Sequence, residues 1–273
     1  MEILKNDTKE QAINSLPLIS VVTVCFNAAA TIEETIQSVL GQTYPKVEYI
    51  IIDGGSTDGT VDIIKRYADR LAYWVSEPDK GIYDAMNKGI AAASGDYINF
   101  MNAGDKFHNE KVLSDFAPYI DRTSDIVYGN FIRAYQDCKY FVAASPLTLL
   151  AKRMVFCHQS AFIKVPFHKK YTYNTRFKIA GDYNFFYTSY FERDAKFQHI
   201  PVIVAEYDNT TGISKSGRTC WIACKEHVLA QNTTNKFVLY TTSILLFLRA
   251  SIKSLFPDNL NKIIRQYIYQ KYQ

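Results

Sequence analysis

The apolar positions of this chain come in short runs divided by polar loops, and their period changes from run to run. LISVVTVC (18–25) is a β-branched stretch of strand length, whereas TIEETIQSVLGQ (31–42) sets Ile32, Ile36, Val39 and Leu40 along one helical face. The same strand-then-helix unit recurs as VEYIIID (47–53) with TVDIIKRYADR (60–70), as LAYWVS (71–76) with GIYDAMNKGIAAAS (81–94), and as DYINFM (96–101) with a helix near 109–119. Four such units predict an α/β fold with a mostly parallel, Rossmann-like central sheet and flanking helices. Beyond residue 125 the rhythm shifts to shorter, aromatic-rich segments, DIVYGNFIRAY, CHQSAFIKV and FQHIPVIVAEY, with a helix over 183–193. These segments are the expected second wall of a cleft. The pattern divides the chain into a polar start (1–16), a first half (17–125) and a second half (126–214) of one domain, and a helical tail (215–273).

Composition narrows the class. Hydrophobic residues make up 48% of the 273 and charged residues 21%, enough core and little enough charge to exclude disorder, while 12 Gly and 8 Pro exclude collagen-like chains. The cysteines at 25, 138, 157, 220 and 224 match neither a disulfide framework nor paired zinc knuckles, which fits a reducing compartment. Cys220, Cys224 and His227 share a helical face but lack a fourth ligand nearby, so a buried face is expected rather than a metal site. The start, MEILKNDTKEQAINSL, has no apolar core of a secretory signal, so a cytoplasmic location is expected.

The formal charge of +4 is unevenly spread: residues 215–273 hold nine Lys and Arg against Glu226 and Asp258, leaving the rest of the chain slightly acidic. In the same tail, FVLYTTSILLFL (237–248) carries no charge and is too short for a membrane span, which needs about 20 apolar residues. Two readings stand: a peripheral membrane contact through 237–273, or a helix packed on the domain. Nothing in the charge pattern asks for a nucleic-acid partner.

In open α/β sheets ligands sit outside the carboxyl ends of the strands, and there the polar residues of this chain collect. The first strand delivers Thr23 and Asn27, the second Asp53-Gly54-Gly55-Ser56-Thr57-Asp58, the third Glu77-Pro78-Asp79, the fourth Asn102-Ala103-Gly104-Asp105. No G-x-G-x-x-G follows the first strand, and neither a P-loop nor a G-x-S-x-G elbow occurs, which argues against dinucleotide oxidoreductases, P-loop NTPases and α/β-hydrolases.

Taken together and in this order, SVVTVCFNA, IIDGGSTDGT, EPDKGIYDAMNKGIAAASGDYINFMNAGD, CHQSAFI and IAGDYNFF resemble family 2 glycosyltransferases of the GT-A fold, which build bacterial surface polysaccharides. The resemblance covers about residues 17–214. It implies transfer of a sugar, with inversion, from a nucleoside-diphosphate-sugar donor to a glycan or lipid-linked glycan acceptor, as in a polysaccharide or O-antigen pathway. It makes 17–125 the nucleotide-sugar-binding half and 126–214 the acceptor-binding half. Thr23, Asn27, Asp53, Gly54, Asp79, Asp84, Asn102 and Asp105 are then expected around the donor, His158 and Gln159 near the acceptor, and Asp182 as the general base.

One stretch departs from the family. Where relatives carry an Asp-x-Asp pattern that holds Mg²⁺ or Mn²⁺, this chain has Asn102-Ala103-Gly104-Asp105, so Asp105 alone is left as a metal ligand. If no metal binds, Lys80 or Lys88 could supply the positive charge. The departure keeps two alternatives open: a catalytically inactive nucleotide-sugar-binding protein, or a membrane-associated scaffold. Local readings also compete at single residues: Asp58 as a helix cap, Asp182 as the N-cap of 183–193, and Asp84 with Lys88 as a surface pair.

Overall fold

The structure is a computed structural model that describes residues 15–135, 138–208 and 225–231, with positions 222, 241, 243–245 and 247–248. Strands β1 (Ile19–Cys25), β2 (Val47–Asp53), β3 (Tyr73–Ser76) and β4 (Tyr97–Phe100) alternate with helices α1 (Ile32–Leu40), α2 (Thr60–Lys65) and α3 (Ile82–Ala92). The chain continues through β5 (Lys106–Phe107), α4 (Val112–Phe116), β6 (Ile126–Ala134), β7 (Lys139–Val142), β8 (Ala161–Lys164), α5 (Val165–Lys170), α6 (Gly181–Phe191) and β9 (Phe197–Asp208). Among the described residues nine strands form one sheet in the order β3-β2-β1-β4-β8-β6-β9-β5, with β7 on β6.

The first four strands pair in parallel, as the repeated strand-helix units predict. From β4 onward the sheet is mixed: β8 runs antiparallel to both β4 and β6, and β9 returns parallel to β6. The helical tally agrees less closely. The helix expected over 60–70 stops at Lys65, where Arg66 and Tyr67 donate to Ile63 and Ile64, the i−3 bonds of a tightening turn, and a separate 3₁₀ turn covers Ala68–Arg70.

Every residue of β1 is buried, and the alternation of a strand explains how. Val22 and Val24, with Ile50, Ile52, Ile98 and Phe100, face a core closed by Tyr83, Met86 and Ile90 of α3. Ile19 and Val21, with Tyr49, Ile51 and Tyr97, face a second core closed by Ile32, Ile36 and Val39 of α1 and by α4. A sheet covered on both faces leaves its strand ends as the place where polar side chains meet solvent.

The 1–14 start and most of the 215–273 tail, including Cys220 and Cys224, lie outside the described residues. His227 is described: its ring stacks on Tyr183 at 4.3 Å and 4°, and its Nε2 lies 3.1 Å from the Lys152 carbonyl. Among the described residues no helix is long and apolar enough to cross a membrane.

Candidate active site

A cavity of about 860 Å³ opens at the carboxyl ends of β1 and β4 and is closed on its far side by β6, the 153–159 segment and the start of α6. Asn27, Asp79, Asn102, Asp105, His158, Gln159 and Asp182 all line it. The sheet and α6 thus bring together seven residues that lie up to 155 positions apart in the chain.

Asp182 sits in the first turn of α6, whose N-cap is Ala180, so the N-cap role expected of Asp182 falls two residues earlier. The first residue of α6, Gly181, leaves room for Tyr83: a Cβ there would lie 2.8 Å from the Tyr83 ring. The single Tyr83 hydroxyl proton is shared between the Ile179 carbonyl at 2.7 Å and Asp182 Oδ1 at 3.1 Å. Oδ1 also accepts the Tyr183 N–H at 2.8 Å, and His158 Nδ1 lies 3.3 Å from Oδ2. Burial works to raise the Asp182 pKa. The hydrogen bond and charge of His158, the Tyr183 N–H and the Tyr83 hydroxyl outweigh it, so the carboxyl titrates below its ordinary value. A carboxylate at a helix N-terminus is favoured in the same direction.

His158 is held from both sides. The Asn102 amide lies 3.0 Å from Nε2; an N–H donated there leaves the Nδ1–H to bond Asp182. Asn102, His158 and Asp182 therefore form one hydrogen-bonded row across the cavity. The neighbouring Gln159 is buried and donates Nε2–H to Asp105 Oδ2 at 2.6 Å, while the Asp105 carbonyl accepts from Thr35 at 2.7 Å.

The other expected donor residues stand behind the wall. Thr23 is buried, bonded to Tyr49 Oη at 2.9 Å and to the Met101 carbonyl at 2.8 Å. Asp53 is fully buried and accepts the N–H groups of Gly55 and Ser56 and the hydroxyls of Ser56 and Ser76. Burial opposes its charge, but these hydroxyls and N–H groups outweigh burial and depress its pKa. It shapes the 53–58 loop, which Asn27 ties to β1: the Asn27 N–H donates to Ser56 and its Oδ1 accepts the Thr57 N–H. Gly54 also lies outside the lining, and the space a side chain would need there is taken by the Asp79 carboxylate. Asp84 accepts the Lys80 N–H at 3.1 Å at the start of α3.

The local readings sort themselves out by geometry. Asp58 Oδ1 accepts the Thr60 N–H and so caps α2 from one residue outside its N-cap, Gly59. Lys88 pairs with Glu77 at 2.7 Å rather than with Asp84, and Asn87 clamps Tyr173 through two backbone hydrogen bonds. His168 is buried among Phe100, Tyr173 and Phe185, and loss of water pushes its pKa down to about 3, so it is a neutral core residue.

Neither Lys80 nor Lys88 lines the cavity, and the cationic residues that do are Arg133, Arg153 and Lys178. They lie on β6, the 153–159 segment and the approach to α6, in no motif; only their placement after folding marks them. Tyr207 of β9 lines the cavity as well, and burial together with the Asp105 charge raises its pKa to about 12.

Among the described residues no three His, Cys, Asp or Glu side chains cluster as a metal site. Asp105 supplies one carboxylate, and Asn102, three residues earlier in the same turn, has a buried Oδ1 with no hydrogen-bond partner among the described residues. One carboxylate and an amide oxygen suit a hard cation that keeps most of its shell as water and phosphate oxygens.

The sequence profile described as "Glycosyl transferase family 2" matches residues 20–194. A Mycobacterium bovis protein named PGL/p-HBAD biosynthesis glycosyltransferase is 31% identical over 206 residues, 73% of this chain and 80% of that protein. The putative teichuronic acid biosynthesis glycosyltransferase TuaG of Bacillus subtilis is 35% identical over 127 residues, 45% of this chain and 50% of its own. In fold, the chain is similar to S. aureus TarS 1–349 in complex with UDP-GlcNAc (TM-score 0.63, 17% identity, 78% of this chain and 66% of that one). It is also similar to the mannosyltransferase PcManGT of Pyrobaculum calidifontis in complex with GDP-Man and Mn²⁺ (TM-score 0.61, 19% identity, 95% and 83%). The profile spans most of the chain and the M. bovis relative is matched along most of its length, so the assignment is direct: this chain belongs to glycosyl transferase family 2 and is a glycosyltransferase of the GT-A fold.

Proposed function

We propose that the enzyme moves a sugar from a nucleoside-diphosphate-sugar donor to a hydroxyl of a glycan or lipid-linked glycan acceptor, with inversion and with Asp182 as the general base. The observation that carries this reading is the hydrogen-bonded Asp182, its pKa held below the ordinary value by its contacts, lining the same cavity as Asp105. Among the described residues Oδ2 has a single hydrogen-bonding neighbour, His158, and so keeps capacity to accept a proton. The acceptor oxygen attacks the anomeric carbon, its proton passes to Asp182, and the bond from that carbon to the diphosphate oxygen breaks on the opposite face. His158, held by Asn102, orients the base, and Gln159 orients Asp105.

Asn27, Asp79, Asn102 and Asp105 form the donor side, with Asp53, Gly54, Thr23 and Asp84 setting the loops behind them. Asp105, with the Asn102 amide oxygen, would hold a Mg²⁺ or Mn²⁺ ion, which supplies positive charge to a departing diphosphate. Arg133, Arg153 and Lys178 add fixed positive charge to the same hollow. The complexes of the structural neighbours with UDP-GlcNAc and with GDP-Man and Mn²⁺ support a nucleotide sugar and a divalent ion here.

Thermal shift with UDP, GDP and dTDP, each with Mn²⁺, Mg²⁺ or chelator, tests the donor side. One nucleotide at 100 times its Kd is expected to stabilise the fold by about 2.7 kcal/mol, with the shift reduced by chelator and in Asp105→Asn. No shift with any nucleotide would overturn the reading.

The basic tail, with Ile244, Leu245 and Leu248 exposed, supports peripheral contact with the inner face of the membrane, where lipid-linked acceptors lie. The full chain is expected to sediment with vesicles containing anionic lipid, less so at high salt, and removal of 237–273 is expected to release it. Equal partition of both forms would remove the membrane contact.

A further inference from the structure

We propose that Glu226 is a positioning residue for the catalytic base, its carboxylate fixing the peptide segment from which Asp182 enters the cavity. The proposal rests on the reading of Asp182 as that base. Glu226 lies beyond the 20–194 family match, in the segment whose sequence suggests only a basic tail. It is buried, and a buried carboxylate is costly unless it is well supplied with donors. Three consecutive backbone groups supply them. Oε1 accepts the Lys178 N–H at 2.8 Å, and Oε2 accepts those of Ile179 at 2.7 Å and Ala180 at 3.0 Å.

The same segment is gripped from its other side by Tyr83, whose hydroxyl proton is shared between the Ile179 carbonyl and Asp182. Ala180 is the N-cap of α6 and Asp182 lies two residues on. Glu226 and Tyr83 together therefore leave the base little freedom to translate along or across the cavity. Glu226 is not among the lining residues; it acts through the backbone it holds.

Its neighbours brace the same region. Gln231 donates to the Tyr183 hydroxyl at 2.9 Å and to the Ala151 carbonyl at 2.8 Å, Asn184 donates to the Ala230 carbonyl at 3.0 Å, and His227 stacks on Tyr183. Residues 226–231 thus tie the 151–152 backbone to the start of α6. Cavity residues Arg153, Lys178 and Asp182 all lie at or beside these anchor points. Displacement of a reacting group by about 1 Å costs on the order of 100-fold in rate, so three hydrogen bonds at this place bear on turnover and not only on stability.

The test uses the full chain with Glu226→Gln, Glu226→Ala and Asp182→Asn. The probes are UDP-, GDP- and dTDP-hexoses, with kinetics taken on the one the wild type turns over. Glu226→Gln keeps the shape and one acceptor oxygen, and is expected to lose about tenfold in kcat; Glu226→Ala is expected to lose about 100-fold, both with a smaller change in the donor KM. Amide hydrogen exchange at 178–180 is expected to accelerate in the same order.

A kcat per folded molecule equal to wild type in Glu226→Gln, with exchange accelerated, would overturn the positioning role and leave a structural one. Should the alanine variant not fold, the glutamine variant carries the comparison alone. If Asp182→Asn keeps wild-type turnover, the base reading itself fails and this proposal falls with it. If Asp182→Asn is inactive while Glu226→Gln matches the wild type, only the positioning role is lost.

Discussion

Asp182→Asn is expected to lower sugar transfer by about 10²- to 10⁴-fold, the range a positioned general base contributes, while donor binding stays close to wild type. The amide is nearly the same size, so Tyr83 and the Tyr183 N–H keep an acceptor, and the cavity keeps its shape. What goes is the anion that takes the acceptor's proton. Turnover of Asp182→Asn within tenfold of wild type would remove this residue from the mechanism.

The pH dependence of the wild type follows from the same contacts. Burial alone would raise the Asp182 pKa, but the hydrogen bond and charge of His158, the Tyr183 N–H and the Tyr83 hydroxyl bring it below the ordinary carboxylate value. Those contacts stabilise the folded state fully above the pKa of the unfolded carboxyl, and their contribution is lost as pH falls through the depressed folded pKa. The acid limb of kcat is therefore expected below about 3.9, the ordinary Asp value. Tyr173, Tyr207 and His227 also feel the Asp182 charge; neutral at working pH, they leave the limb to Asp182.

Gly181→Ala carries the second large effect, because a favourable local change meets an unfavourable tertiary one. In a helix, Ala is better than Gly by roughly 0.5–1 kcal/mol. Here the added Cβ would stand 2.8 Å from the Tyr83 ring. That ring gives way only by losing contacts: it is buried against Tyr173 and tied through its hydroxyl to Ile179. Overpacking of this kind costs about 1–3 kcal/mol, so the melting temperature is expected to fall by several degrees. The shift also carries the Tyr83 hydroxyl away from Asp182, so kcat is expected to fall as well. A variant as stable and as active as wild type would show that Tyr83 is not held where the site needs it.

The parts of this protein that could be read along the chain are those set by local period. Strands β1 to β4 and their helices follow from short apolar runs of strand length, rich in Ile and Val, and from apolar residues at helical spacing. The rim follows too, since parallel strands end where their polar loops begin. Asn27, Asp79, Asn102 and Asp105 were legible because they sit in motifs at those ends, and His158, Gln159 and Asp182 because CHQSAFI and IAGDYNFF resemble family motifs; the cavity gathers all seven. Asp53 shows what a local pattern leaves undecided. An acid beside two glycines at a strand end looks the same whether it faces a ligand or, as here, spends its oxygens on the loop around it.

What remained hidden depends on partners distant in sequence. Arg133, Arg153 and Lys178 have no motif, and their shared hollow exists only after β6 and α6 fold onto the parallel half. Glu226 reads as one acid in a basic tail until its carboxylate is seen on three N–H groups 46 to 48 residues earlier. Periodicity and strand-end chemistry, which are local, determined the α/β frame and the acidic rim. The mixed half of the sheet, the cationic side of the cavity and the fixing of Asp182 were decided by tertiary structure, because hydrogen bonds and charges between remote segments have no signature in the spacing of residues.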